Sequence, residues 1–144
     1  MFSETNTNTE LKRFLKKGER PTGIHKEHIS TEKPFLLLAS CFAEQPGTIV
    51  LQSGGETDSA RYHMLAAYPW LSFTVKEGIT ELRETIAAEG MCERRCRLSE
   101  NPFSILSSVL SHYSVSASTE KAPRIPMQGG LFGYIAYDMK DYIE

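Results

Sequence analysis

Residues 47–69 constrain the fold more than any other part of the sequence, because two apolar segments there enclose a wholly polar one. Residues 48–51 are apolar or β-branched, a composition that strands prefer. Residues 53–59 are all small or acidic and predict a surface loop. Residues 61–67 are mostly apolar again, and Pro69 ends them. The loop is either an ordinary hairpin connection or a ligand-binding site, since backbone N–H groups beside glycine are open to a ligand.

The composition narrows the class of protein. The 144 residues suffice for one domain with its own core. Sixteen basic and 18 acidic residues give a net charge of −2, so no bulk positive field is available to hold nucleic acid or an anionic membrane. No apolar run approaches the ~20 residues of a membrane span, and residues 1–10 are polar, unlike a signal peptide. Three cysteines then predict free thiols in a reducing compartment, and we expect a cytoplasmic protein.

The N-terminal part predicts one helix and one strand. The helix begins at Asn8 or Thr9, which serve as caps, and it ends at Gly18. Its apolar stripe consists of Leu11, Phe14 and Leu15. Residues 34–40, PFLLLAS, form a continuous apolar segment and predict a buried strand.

Two further elements have clear local signals. Residues 70–75 alternate between apolar and polar side chains, which predicts a half-buried strand, and a turn follows at residues 77–78. Asn101 followed by Pro102 predicts the start of a helix that ends near His112.

Residues 79–98 fit two alternatives. The spacing of the apolar residues favours a helix over residues 79–89. The same stretch also fits a hairpin with strands over residues 82–87 and 91–98, joined by a Glu-Gly turn. The glycine of this turn, Gly90, suits either structure.

The last informative segment is residues 125–138, IPMQGGLFGYIAYD. Residues 131–137 are apolar or aromatic on both faces, which predicts a strand covered on both sides. Glycines weaken a strand unless another part of the protein packs closely against it, and this segment contains three. We expect that the chain does not supply all the covering layers itself.

Several motifs, taken in order, resemble one family. They are VLQSG, then SARY and AAYP, then PFSIL, then PMQGGLFGYIAYD, over roughly residues 34–144. In this order they look like the N-terminal portion of aminodeoxychorismate synthase component I. That protein is the large subunit of para-aminobenzoate synthase and a homologue of anthranilate synthase component I. The most specific motif is QGG followed by GYIAYD.

The resemblance implies an α+β fold with antiparallel sheets and a few packed helices, forming the N-terminal part of a larger two-sheet body. It implies a single domain over residues 1–144, without the family's C-terminal chorismate-binding catalytic region. Enzymes of the family make a folate precursor from chorismate with Mg²⁺ and with ammonia from a glutamine amidotransferase subunit. The chorismate and Mg²⁺ residues lie in the C-terminal region.

The resemblance therefore gives this chain a supporting role. We expect it to contain no catalytic residue, cofactor or metal site, and to be inactive by itself, with Mg²⁺ belonging to the full-length enzyme. Its expected partners are the catalytic region and the amidotransferase subunit. An isolated half-body exposes apolar surface where its other half belongs, which favours self-association.

The resemblance also implies part of a tryptophan-type amino-acid pocket. The matching positions are Ser53, Ser59, Ala60, Arg61 and Tyr62. A zwitterionic ligand needs a hydroxyl or carbonyl for its ammonium, backbone N–H groups for its carboxylate and an apolar wall for its side chain. Ser53 offers a polar contact and Tyr62 offers a wall. Arg61 suits either a ligand contact or an ion pair with the acidic residues of the loop.

Two positions depart from the family pattern. Ala60 stands where the family usually has serine, so one hydroxyl is missing. Gln52 replaces the acidic residue of anthranilate synthases, which favours the para-aminobenzoate branch. Since the remaining wall belongs to the catalytic region, we expect weak or no tryptophan affinity in this chain. The alternatives are the corresponding domain of anthranilate synthase, a freestanding amino-acid-sensing module, and an interaction domain with an inactive pocket.

Other reactive side chains have simpler interpretations. Cys92 and Cys96 are four residues apart and would share a helix face, but without a second pair they indicate structural thiols rather than zinc ligands. His25 and His28 lack a further ligand cluster and indicate a solvated surface. The basic run Arg94, Arg95 and Arg97 lies between acidic residues and predicts a solvated or ion-paired face.

Overall fold

The computed structural model describes residues 4–18, 25, 27–54, 62–86, 92–114 and 130–143. These residues form helices and two antiparallel sheets, which confirms the predicted α+β class. In chain order the elements are α1 (Glu4–Lys17), α2 (Phe35–Ser40), β1 (Ile49–Leu51), β2 (Met64–Ala66), β3 (Leu71–Lys76), β4 (Ile79–Ile86), β5 (Cys92–Leu98), α3 (Pro102–His112) and a terminal 3₁₀ helix (Tyr137–Tyr142). They fall into two compact units.

The first unit places α1 and α3 on one face of a three-stranded sheet. The strands lie in the order β3-β4-β5, and each neighbouring pair is antiparallel. Leu82 on the central strand is opposite Phe73 on one side and Cys96 on the other. The core consists of Leu11, Phe14, Leu15, Leu82, Leu98, Ile105 and Val109. Burial of this apolar surface is the main driving force for the unit.

Helix α1 carries the predicted apolar stripe into this core, since all three of its residues are buried. The helix begins at Glu4, before the predicted caps, and Gly18 follows its last residue as expected. A Cβ atom at Gly18 would lie 2.5 Å from the Tyr113 hydroxyl oxygen. A side chain at this position would have to displace the Tyr113 hydroxyl end.

The helix predicted for residues 79–89 is wrong, and the hairpin alternative is correct. Strand β4 begins at Ile79 and pairs with β5 over seven residue pairs, from Thr80 opposite Leu98 to Ile86 opposite Cys92. The prediction failed because two inward positions of β4, Thr80 and Glu84, are polar and yet buried. Without them, the apolar residues of the stretch show helical rather than alternating spacing.

Strand β3 and helix α3 form where the local sequence patterns predict them. Inward and outward residues alternate along β3, and Glu77 and Gly78 both have positive φ, at 52° and 78°. Positive φ at both positions matches the twist of a tight hairpin. At α3 the Asn101 Oδ1 atom accepts a hydrogen bond from the Phe103 N–H at 2.9 Å, and Pro102 follows it as the first helical residue.

The second unit contains α2, β1 and β2. The strand predicted for residues 34–40 is wrong, because Phe35–Ser40 forms a short helix. The Leu37 and Leu38 N–H groups donate to the Pro34 carbonyl at 3.0 and 3.2 Å. A continuous apolar run does not distinguish strand from helix; here proline precedes leucines and alanine, which are good helix formers.

The predicted pairing of the segments around the polar loop is confirmed. Strands β1 and β2 are antiparallel, with Val50 opposite Leu65. Strand β2 is shorter than the predicted segment 61–67. Of the loop over residues 53–59, the structure describes only Ser53 and Gly54.

The prediction of a buried strand over residues 131–137 is wrong. This segment belongs to neither sheet, and Tyr134 is 93% exposed. The 3₁₀ helix begins at Tyr137. A strand with two apolar faces is stable only between covering layers, and in this segment only Phe132 is even half-buried.

Asn101 joins α3 to the terminal 3₁₀ helix, since its Nδ2 atom also donates to the Tyr142 carbonyl at 2.9 Å. Asn101→Ala removes the cap and this contact, and we expect it to lower the free energy of unfolding by about 1 kcal/mol. Asn101→Asp keeps the acceptor for the Phe103 N–H and should lose less. Urea denaturation followed by circular dichroism measures both; equal stability of the alanine variant and the parent chain would contradict the capping role.

Candidate functional site

The structure describes two of the five residues predicted to form the amino-acid pocket, Ser53 and Tyr62. The other three, Ser59, Ala60 and Arg61, lie outside the described residues. The Ser53 hydroxyl donates to the Tyr62 carbonyl at 2.7 Å. This contact lies just beyond the β1–β2 pairing, so the two ends of the loop over residues 54–61 are held together.

The local chemistry of this pair suits a small polar ligand. The Ser53 hydroxyl oxygen retains lone pairs that can accept from an ammonium group while its proton is donated to Tyr62. Tyr62 is 51% exposed, so its ring offers an amphipathic surface. A Cβ atom at Gly54 would meet no described atom within 4 Å, so the backbone there is open. The pair supplies an acceptor and a wall, but by itself no cationic partner for a carboxylate.

Aromatic contacts hold the second unit together around this pair. The Phe35 ring stacks on the His63 ring, with centroids 5.0 Å apart and planes at 20°. Phe42 and Tyr68 meet edge to face at 6.0 Å. Because Phe35 lies on α2 and His63 adjoins β2, the stacking fixes the helix beside the hairpin. His63 thus makes a structural contact with α2.

A buried ion pair lies in the first unit, on the helix-covered face of the sheet. Glu84 and Arg94 are opposite each other in the β4–β5 register and form an ion pair, with side chains only 5% and 19% exposed. The Arg94 Nε atom donates to Glu84 at 2.8 Å, and its Nη2 atom donates to the Phe14 carbonyl at 3.2 Å. The guanidinium also lies over the Phe14 ring, 4.8 Å from its centroid. Arg94 therefore links the sheet to α1.

The opposite face of the sheet carries an exposed network. Glu81 accepts from Arg97 at 2.7 Å and from Arg83 at 3.0 Å, and Glu93 contacts Arg95 at 2.6 Å and Arg83 at 3.2 Å. The Arg97 and Arg83 guanidiniums hold the pKa of the Glu81 carboxyl below its usual value. The predicted ion pairing of the arginine run is confirmed, but Arg94 pairs on the other, helix-covered face of the sheet. Exposed pairs of this kind contribute little to stability.

A surface groove of about 610 Å³ lies between α1 and β5. Its lining residues are Glu10, Arg13, Phe14, Lys17, Arg94, Arg95, Cys96 and Arg97. Burial, and secondarily the Glu10 carboxylate, raises the pKa of the Cys96 thiol, so this thiol stays protonated at neutral pH. Low reactivity follows, because the thiolate is the nucleophile.

The cysteines and histidines otherwise offer no reactive cluster among the described residues. Cys41, Cys92 and Cys96 are free thiols, as predicted. Cys92 and Cys96 lie on strand β5 rather than on a helix. Nowhere in the described ranges do three or more histidine, cysteine, aspartate or glutamate side chains gather as metal ligands. No helix in the described part of the chain has the length and apolar character needed to cross a membrane.

The sequence analysis missed Glu84 as the buried partner of Arg94, and it missed the cations of α1 beside β5. A signal for the first was present, since Glu84 and Arg94 are placed symmetrically about the hairpin turn. It becomes visible only once the strand register is known. The grouping of α1 with β5 depends on tertiary packing alone.

Comparisons with known proteins give no relative: no family model, curated protein or solved structure matches the chain.

The buried ion pair makes a sharp mutational prediction. Glu84→Ala leaves the Arg94 guanidinium mostly buried without its counter-charge, and we expect it to lower the free energy of unfolding by about 3 kcal/mol. The double variant Glu84→Leu with Arg94→Leu should be more stable than Glu84→Ala, because apolar side chains replace both charges. The matched control Glu93→Ala, on the exposed face, should cost less than about 1 kcal/mol. Equal losses for Glu84→Ala and Glu93→Ala in chemical denaturation would refute the assignment.

Proposed function

We propose that this chain is the non-catalytic N-terminal domain of an enzyme like aminodeoxychorismate synthase component I, which forms a folate precursor from chorismate. The ordered motifs from VLQSG to PMQGGLFGYIAYD support this family. The observation that carries the domain role is the exposure of apolar segments that contain or flank these motifs. Such segments require a covering surface that the described residues do not supply.

The exposed apolar residues are contiguous along the chain in two places. On α2, Leu36 and Leu37 are 55% and 52% exposed, and only Ala39 of the helix is buried. Ile135 and Tyr134 are exposed in the segment that carries the most specific motif. Soluble proteins rarely leave contiguous apolar patches uncovered, and such patches mark interaction sites. The proposal requires that the catalytic region of the enzyme cover the segment over residues 131–137, whose expected burial this chain alone does not show.

The proposed role is structural and regulatory rather than chemical. The family reaction needs Mg²⁺ and chorismate bound together, and Mg²⁺ takes carboxylate oxygens as protein ligands. The proposal assigns this chemistry to the catalytic region rather than to this chain. This chain would complete the two-sheet body, carry part of the amino-acid pocket and help bind a glutamine amidotransferase subunit in the cytoplasm.

The pocket at Ser53 and Tyr62 has a defined place in this proposal. Their hydrogen bond fixes both ends of the loop that carries Ser59, Ala60 and Arg61 in sequence. In the complete enzyme this loop would form one wall of a tryptophan-type pocket, and the catalytic region would form the other. The missing hydroxyl at Ala60 lowers the expected affinity.

The same contact favours a second candidate function, a freestanding amino-acid-sensing module. The Ser53–Tyr62 hydrogen bond is made by this chain without any other part of an enzyme. A sensor would need a complete cavity within the chain and high affinity for its ligand. The N-terminal domain of anthranilate synthase component I remains the alternative within the same family, and the residue at Gln52 favours the para-aminobenzoate branch.

The parent activity is tested by identifying the catalytic region encoded after Glu144 or by a neighbouring gene, and assaying it with this chain. With chorismate, Mg²⁺ and ammonia, we expect aminodeoxychorismate from the combination and none from this chain alone. Leu37→Asp places a charge in the proposed covered surface and should lower the rate roughly tenfold or more.

Leu110→Asp is the matched control, because Leu110 is a similarly exposed leucine on α3, in the other unit. It should leave the rate close to that of the parent chain. Equal losses from the two substitutions, or a locus that encodes no chorismate-binding region, would contradict the proposal.

The pocket is tested by calorimetric titration with tryptophan. We expect no measurable binding to this chain below millimolar ligand, because one wall of the pocket is supplied elsewhere and Ala60 lacks a hydroxyl. Addition of the catalytic region should tighten binding, and Ser53→Ala should weaken it again. Tight binding by the chain alone would instead support the sensing module.

A further inference from the structure

Strand β5 lies at an edge of its sheet. In the strand order β3-β4-β5, Cys92–Leu98 pairs with β4 on one side, and no other described strand pairs with its second side. Alternate residues of such a strand direct their backbone N–H and C=O groups away from the sheet. An edge of this kind is able to accept an additional strand unless it is blocked.

Charged side chains are a common means of blocking an edge, and β5 carries three arginines. Two of these arginine side chains lie over the faces of the sheet rather than beyond its edge. Arg94 is paired with Glu84 and Arg97 with Glu81, and both of these carboxylates belong to β4. Arg95 is paired with Glu93 of its own strand. The ion pairs thus fix the guanidiniums on the two faces of the sheet, where they flank the backbone edge rather than cover it.

The groove beside this edge is cationic. Its lining includes Arg13 and Lys17 from α1, with Glu10 as the one carboxylate; the β5 arginines are already ion-paired, and the guanidiniums of Arg95 and Arg97 lie on the opposite face of the sheet. Arg13 and Lys17 are exposed and form no ion pair with any described residue. This local positive charge stands out in a chain with a net charge of −2. It therefore favours a negatively charged occupant.

We propose that α1 and β5 form a docking site for an extended acidic segment of another protein, which adds to the sheet as a strand at the β5 edge. Backbone hydrogen bonds to β5 would provide affinity in the manner of β-strand addition. Carboxylates on the side of the segment facing α1 would contact Arg13 and Lys17, which fixes its position and selects for negative charge. The site lies in the first unit and does not depend on the chorismate-related role proposed above.

Charge and shape favour this occupant over two others. A second copy of the chain would present its own β5, whose one carboxylate, Glu93, is already ion-paired, so it would offer no free negative charge to Arg13 and Lys17. Single-stranded nucleic acid is usually held by exposed aromatic rings on which bases stack. The aromatic residue of this groove, Phe14, is buried beneath the Arg94 guanidinium.

The probe for this proposal is a fluorescent peptide about eight residues long in which glutamate alternates with valine. We expect saturable binding to the full chain in fluorescence anisotropy, and we expect salt to weaken it because exposed charges are screened. A peptide with lysine in place of glutamate should not bind. Arg13→Glu with Lys17→Glu should weaken binding of the acidic peptide at least tenfold.

Lys12→Glu with Lys16→Glu provides the matched control. Both residues are exposed on α1 and the change in net charge is identical, but neither lines this groove. This variant should bind the peptide nearly as tightly as the parent chain. Circular dichroism establishes that the variants are folded. If the two double variants weaken peptide binding to a similar degree, the effect is one of net charge alone and the proposal is overturned.

Backbone pairing is tested separately. Two acidic peptides are compared, one N-methylated at its odd-numbered residues and the other at its even-numbered residues. One of them should lose binding and the other should keep it, because only alternate N–H groups face β5. Hydrogen exchange of β5 amides should slow when the unmodified peptide binds. The proposal is overturned if both methylated peptides bind equally, or if an oligonucleotide of equal charge binds as tightly as the peptide.

Discussion

The ion pair between Glu84 and Arg94 is the interaction on which the organisation of the first unit depends. It joins two strands at a position where both side chains face the helices rather than water. A buried carboxylate is tolerated only when its charge is neutralised, so this pairing penalises any other register of the hairpin. The same arginine donates to the Phe14 carbonyl and covers its ring, which positions α1 over the sheet. The groove beside β5 is a consequence of that placement.

The second unit has a different balance of burial and exposure. Stacking of Phe35 on His63 and the short β1–β2 pairing hold it together, while Leu36 and Leu37 on α2 are turned outward. Exposing such leucines has a cost in water that nothing within the described part of the unit offsets. The covering surface proposed above would remove these leucines from water.

Prediction from the sequence succeeded where structure follows from local chemistry. The cap at Asn101, the alternation along β3 and the stripe of α1 depend on residues close in sequence, and all three are present. Of the candidate pocket, the structure describes Ser53 and Tyr62 in contact, and the resemblance to a known family that singled them out remains a proposal. Prediction failed at residues 34–40, 79–89 and 131–137, because the apolar pattern of each segment is compatible with more than one packing arrangement.

The sequence by itself determined the ends of α3 and the turn between β3 and β4, because capping and turn conformations are decided within a few residues. The α+β class was expected from the family resemblance, and the structure confirms it. Only the tertiary structure decided that residues 79–98 form a hairpin, since Glu84 can be buried only when Arg94 lies opposite it. It also decided that, among the described strands, β5 pairs with β4 alone, and which cations of α1 lie beside it. These features depend on contacts between residues far apart in the chain, and no local pattern encodes such distances.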